Sequence, residues 1–302
     1  MFFPQKTLIH GLILMLASMQ YGFSLNYGGI AVNGLKEKYP EWDMNKDQKN
    51  IDFFINFPSL FGAFGGFSIR FLAYVTSARK ALVIFSVINI IAWFIYLAMT
   101  PKLFIMGVVL RSVQGFLAGG FACLTPMMMT NISPEENIGF FGCLNQVSIV
   151  FAMVLFSILA AFVDFKIIAI IGAVLNIIYC GVIWLAPEYK KERGGEPIYQ
   201  RKNVVKIIIG VFLMIFQQFS GINAILNDLG SIMSGTGISI DSNLQSAIAT
   251  LAQFLGVFVS AFNMDVIGRK KSWILSAVGV VIGLILYLVC LSTKTEGYLQ
   301  AS

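Results

Sequence analysis

The sequence predicts an all-α integral membrane protein, a helical bundle of about nine spanning helices. Three observations predict it. Only 12% of the 302 residues are charged while 57% are apolar, against about 25% and 45–50% in soluble domains. Mean hydropathy is +0.80. The apolar residues fall into long runs broken by short polar stretches. So little charge does not cover a water-soluble surface of this size, which excludes a soluble enzyme, a nucleic-acid binder, a disordered chain and a secreted disulfide scaffold. At about 20–25 residues per span plus short loops, the length holds roughly nine to eleven spans.

In chain order the runs are Leu8–Val32, Ile51–Val75, Ala81–Met99, Leu103–Met129, Ile138–Val163, Ile167–Ala186, Val204–Met233, Leu244–Phe262 and Ser272–Leu291. The first continues past any signal-peptide cleavage point and has a weakly basic flank, so it reads as an uncleaved span. With the N-terminus in the cytoplasm, the inner loops hold eleven Lys and Arg against seven in the outer ones, and Arg70 and Lys206 raise the inner count to thirteen. That bias favours a cytoplasmic N-terminus, and an odd number of spans places the C-terminus outside. The net charge of +6 then reflects basic inner loops rather than a nucleic-acid partner. Cys123, Cys143, Cys180 and Cys290 lie inside apolar runs, with neither metal-site nor disulfide spacing.

The domain division follows from a repeat and a tether. Ser77-Ala78-Arg79-Lys80 and Ile267-Gly268-Arg269-Lys270 are offset by 190 residues, each in a short inner loop between two spans. Residues 1–187 form a six-helix bundle, 188–203 a basic linker containing Gly194, Gly195 and Pro197, and 204–302 a second bundle represented by three helices.

Charge near the bilayer centre costs on the order of 3 kcal/mol, and from Asp52 to Glu135 no acidic residue intervenes. Arg111 falls inside the fourth span, where it either snorkels or bonds backbone carbonyls. Amides are more telling. Gln146, Gln217, Gln218, Asn223 and Gln253 lie in the fifth, seventh and eighth spans. Each carries donors and acceptors together, as recognition of an uncharged polyol requires; the same groups also tie helices to one another. Gln218 and Asn223 point about 140° apart on a straight helix. Gly221 between them permits a bend that turns both toward one cavity, as in the broken helices of transporters. No phosphate-binding glycine loop, metal cluster or paired nucleophile and base supports an enzyme.

The stretch Gln217-Gln218-Phe219-Ser220-Gly221-Ile222-Asn223 resembles the seventh-helix signature of sugar porters in the major facilitator superfamily. Asp265-Val266-Ile267-Gly268-Arg269-Lys270-Lys271 resembles that family's loop between helices eight and nine, and Pro126–Pro134 with Gly142–Gln146 its fourth-to-fifth helix region. The resemblance implies a major-facilitator-type bundle with six helices plus three of an expected six. It places hexose contacts on Gln146, Ile149, Gln217, Gln218, Asn223 and Gln253, and a gating loop on Asp265, Gly268, Arg269 and Lys270. It further implies transport of a hexose-like sugar by alternating access in the plasma membrane. The partners it implies are a small-molecule sugar and the bilayer, with no nucleic acid and the oligomeric state left open, and no cofactor or metal.

Departures accompany it. Ser24 stands where proton-coupled members carry an acid, which favours facilitated diffusion. Val75 and Ala78 replace an acid and a glycine of the second-to-third loop, Asn131 and Ile138 replace a Glu and an Arg, and Pro187-Glu188 is what remains of a longer motif. Nothing in the chain resembles helices ten to twelve, so the expectation is a C-terminally truncated member. The alternative is a truncated or decayed, non-transporting relic or a regulatory membrane protein of the same family.

Overall fold

The computed structural model describes residues 5–43, 46–188, 200–220 and 242–300. Among them run nine α-helices and short 3₁₀ turns: α1 (Gln5–Lys38), α2 (Gln48–Val75), α3 (Ala78–Ile95), α4 (Phe104–Ile132), α5 (Ile138–Ala160), α6 (Phe165–Val182), α7 (Arg201–Phe219), α8 (Ser242–Ile267) and α9 (Arg269–Gln300). Each predicted span falls on one helix, with edges shifted by a few residues. The seventh span's stretch beyond 220 and most of the linker, 189–199, lie outside the described residues. Seven of the nine are long and apolar enough to cross a membrane: α1, α3 to α6, α8 and α9. In α7 the apolar portion Asn203–Phe219 is shorter. The hydropathy of α2 is diluted by Gln48, Lys49, Asn50, Asp52 and Asn56 at its start and by Ser68 and Arg70 near its end.

Helices α1, α4, α3 and α6 close a ring, each packed on the next; α2 lies against α4, and α5 against α1. The α2–α4 seam is built on glycine. A Cβ on Gly65 would stand 1.7 Å from the Phe116 carbonyl oxygen, one on Gly119 1.9 Å from that of Gly62, and one on Gly115 2.2 Å from the Pro58 Cα. Small residues four apart let two backbones touch in a membrane, where packing rather than water expulsion holds helices together. Gly22 does the same for α1 against the Ile149 carbonyl of α5.

The interior divides into two stacked apolar clusters. One, toward the end where α1 begins, gathers Leu14, Leu82, Phe85, Phe121, Met128, Phe141 and Tyr179. The other gathers Phe23, Tyr27, Phe54, Trp93, Tyr96, Phe156 and Phe165. At the far end Lys38 at the close of α1 binds Asp164, which caps α6, at 2.9 Å. Burial pushes the Asp164 carboxyl up, but the Lys166 amide and the Lys38 ammonium outweigh it and hold it below its ordinary value. Its folded pKa being the lower, this tie is complete above the usual carboxylate range and weakens as pH falls through the depressed value.

Helix α8 packs along α5, and α9 follows it. By contrast, residues 204–220 on and after α7 and most of α9 up to Val289 expose their side chains. These are mainly Ile, Val, Leu and Phe, the chemistry that faces lipid tails.

Candidate functional site

Two polar ties lie at the end where α1 begins. In the first, Asp265 in the last turn of α8 spans the seam to α5. Its Oδ1 accepts the Gly139 N–H at 3.0 Å and its Oδ2 the Phe140 N–H at 2.8 Å. The opening amides of a helix have no intrahelical acceptor and carry the positive end of the macrodipole. The carboxylate thus serves α5 as a cap supplied by another helix. Gly139 makes room for it, since a Cβ there would lie 2.1 Å from Oδ1. The chain then turns from α8 into α9 at Gly268, whose φ of +89° is the only positive value among the described residues. Arg269 and Lys270 follow at the start of α9 and are exposed.

In the second tie, Arg79 opens α3 beside Glu188, which follows α6. The Arg79 N–H donates to Glu188 Oε1 at 3.2 Å, Nε lies 3.5 Å from Oε2, and Nη2 donates to the Ala186 carbonyl at 2.7 Å. The guanidinium also sits 5.7 Å from the Trp184 ring centroid. The reduced Pro187-Glu188 motif therefore still supplies its acid.

From Asp265 the α5–α8 seam continues through Cys143 Sγ against Met264 Sδ at 3.6 Å, Phe140 against Phe262 at 5.2 Å and Phe151 against Phe254 at 5.9 Å. These pairs fix an antiparallel register that puts Gln146 and Gln253 about 7–8 Å apart along the axis, at 1.5 Å per residue. Gln146 is exposed; Gln253 is half-buried, and its Oε1 is buried without a hydrogen-bond partner. Such an acceptor costs about 1–3 kcal/mol unless something donates to it. Ile149 is only 4% exposed, held where its own backbone meets Gly22.

The remaining predicted residues sit apart from this pair. Gln217 and Gln218 are exposed on α7. Gln218 belongs to a stripe with Ile207, Gly210, Val211, Met214, Ile215 and Phe219 that lines a shallow apolar groove. Asn223 lies outside the described residues.

A third feature is Arg111, whose place in the fourth span admits both snorkelling and carbonyl bonding. It is 1% exposed and bonds carbonyls: Nε donates to Phe54, and Nη1 to the Ser24 carbonyl and, at 3.4 Å, the Ser24 hydroxyl. Its guanidinium carbon is 5.4 Å from the Phe54 ring centroid. No acidic residue forms an ion pair with it among the described residues. Ser24 also borders a cavity of about 330 Å³ between α1, α2 and α4, lined by Tyr21, Pro58, Ser59, Gly62, Gly115 and Ala118. That is at the low end of ligand-pocket sizes, about 300–1,000 Å³, and none of the predicted contact residues that are described lines it.

A family model described as the Major Facilitator Superfamily matches residues 10–299. "Sugar transporter ERD6-like 6" of Arabidopsis thaliana is 22% identical over 319 residues, covering 91% of this chain and 64% of its own length. "Facilitated trehalose transporter Tret1" of Apis mellifera ligustica is 21% identical over 337 residues, covering 96% and 64%. The chain thus spans just under two thirds of the length of these curated relatives. Among solved structures, the proton:xylose symporter XylE bound to 6-bromo-6-deoxy-D-glucose superposes with a TM-score of 0.73 at 18% identity, over 88% of this chain and 70% of that one.

Proposed function

This chain belongs to the Major Facilitator Superfamily, and from that premise we propose that it carries an uncharged, hexose-like sugar across a membrane by alternating access, without proton coupling. The observation that carries the reading is the α5–α8 seam. It is closed at one end by Asp265 on the helix α5 amides and holds two amides, Gln146 and Gln253, further along. The relatives named as sugar transporters support the substrate class. Residues 1–187 act as one bundle, 204–302 supply the other, and the Asp265 end faces the cytoplasm of a plasma-membrane protein whose N-terminus is inside. It acts as a transporter and not as an enzyme.

Binding and counterflow of a radiolabelled hexose with purified, reconstituted protein test this reading. Folded protein without hexose binding would point instead to the regulatory or relic reading. Gln253→Leu adds a sign. If a sugar hydroxyl donates to its unpartnered Oε1, the change weakens hexose binding roughly tenfold, the equivalent of about 1.4 kcal/mol. Thermal stability in detergent stays level or rises, because the empty protein loses an orphaned acceptor. Lower stability with unchanged binding would make Gln253 a helix-packing residue.

Coupling is tested at Ser24. Serine does not titrate in the physiological range, so uptake is expected to be flat with pH and to move no protons. Ser24→Asp places a carboxylate against Arg111 and beside the cavity, a charge pair whose protonation alters the balance between conformations. Uptake by this variant is expected to become pH-dependent. Substrate-driven proton flux in the unmutated protein refutes uncoupled transport.

A further inference from the structure

The two apolar clusters of the first six helices are separated by a layer of polar side chains. Each helix of the α1–α4–α3–α6 ring contributes: Gln20 from α1, Ser86 and Asn89 from α3, Gln114 from α4 and Asn176 from α6, all 0–4% exposed. Each lies within about one turn of the middle of its apolar run, so the layer marks the centre of the membrane-spanning region. Polar groups at that depth are expensive and ask for partners. Some are satisfied internally: Asn176 Nδ2 donates to Gln20 Oε1 and, at 3.1 Å, to the Gly172 carbonyl. Others are not. Both Gln114 Oε1 and Nε2 are buried without a partner, as is Asn176 Oδ1. One turn away, so are the Trp93 Nε1 and the Tyr179 hydroxyl. The Trp93 ring lies against Gly172, where a Cβ would be 2.9 Å from it, one turn from Asn176 on α6.

The unpartnered set mixes acceptors (Gln114 Oε1, Asn176 Oδ1) with donors (Gln114 Nε2, Trp93 Nε1), and Tyr179 provides both. An anion is repelled by the carbonyl oxygens, a cation by the N–H groups, and an apolar molecule satisfies neither. An uncharged polyol matches both, but neither the cavity nor the groove described above is lined by these residues. Water donates two hydrogen bonds and accepts two, and buried waters typically make about three to otherwise unsatisfied groups. We infer that this midplane layer is an internal hydration site, holding ordered water between Gln114, Asn176 and Trp93 inside the first bundle. None of the residues predicted to contact sugar belongs to it, and it is independent of whether the chain transports. Tyr21 and Gly115, the chain neighbours of Gln20 and Gln114, line the cavity of about 330 Å³ described above.

X-ray radiolysis of the intact protein in detergent tests the inference, because ionised bound water oxidises the side chains beside it. Trp93 is expected to be oxidised at least tenfold faster than Phe141, although Trp93 is 1% and Phe141 0% exposed. Exposed Tyr74 serves as the positive control. In Gln114→Leu the Trp93 signal is expected to fall at least fivefold. Trp93 as unreactive as Phe141 while Tyr74 is labelled shows a dry layer and overturns the proposal. So does Trp93 labelling that persists unchanged in Gln114→Leu. Should the variant not fold, the wild-type comparison decides alone.

Discussion

Gly119→Leu is expected to abolish folded protein, and Gly119→Ala to destabilise it by about 1–3 kcal/mol, the usual cost of overpacking. The atoms a new Cβ would strike belong to backbone: the Gly62 carbonyl oxygen at 1.9 Å and its carbon at 2.5 Å. No rotamer change relieves that, so α2 and α4 must part. Parting opens the whole seam, because Gly65 on Phe116 and Gly115 on Pro58 are equally close. Lipid tails are as apolar as the side chains set free, so nothing drives the pair back together. Gly181→Ala on α6 is the control. Nothing lies within 4 Å of its added Cβ, and Ala exceeds Gly in helix propensity by up to about 1 kcal/mol. Thermal shift and size-exclusion profiles in detergent measure both. Equal behaviour of Gly119→Ala and Gly181→Ala would falsify the seam argument.

The sequence disclosed what depends on composition and on side-chain identity. Where the runs are described they lie on helices, seven of them long and apolar enough to cross a membrane, because apolar length is what a bilayer demands. Asp265 and Gly268 were legible from their motif, and the structure gives each a physical task, a borrowed helix cap and a positive-φ turn. What stayed hidden has backbone on one side of the contact. Gly139 admits the Asp265 carboxylate, yet a glycine after Ile138 carries no signal of its own. Arg111 is satisfied by the Phe54 and Ser24 carbonyls, which every sequence possesses. Gln20, Gln114 and Asn176 are polar residues in apolar runs, but their alignment at one depth emerges only once four helices are set side by side. Gln217 and Gln218 show the converse. Their motif is plain, whereas the surface α7 presents to its neighbours is a matter of packing that local sequence does not encode.

Asp265→Asn is expected to loosen the closed end of the α5–α8 seam and to change transport rate far more than sugar affinity. The carboxylate accepts two amide hydrogens at the positive end of a helix, and charge-assisted bonds of this kind are worth about 1.5–3 kcal/mol. Asparagine keeps the shape but turns an NH₂ toward one N–H, leaving that amide unpaired and the dipole unmatched. A loss of about 2 kcal/mol shifts a two-state gate roughly thirtyfold toward its open form. The amides Gln146 and Gln253 further along the seam are untouched. Cys143 is a native reporter, half-buried with its sulfur 3.6 Å from Met264. With Cys123, Cys180 and Cys290 replaced by Ser, alkylation of Cys143 is expected to quicken at least tenfold in Asp265→Asn. Uptake should change severalfold, and the hexose Kd less than twofold. Unchanged Cys143 reactivity, with binding and uptake lost in parallel, would reduce Asp265 to a structural cap. Glutamate at 265 separates charge from reach: it restores the charge one methylene further out, and Gly139 leaves little room to reseat it. Asp265→Glu is therefore expected to recover slow Cys143 alkylation only in part.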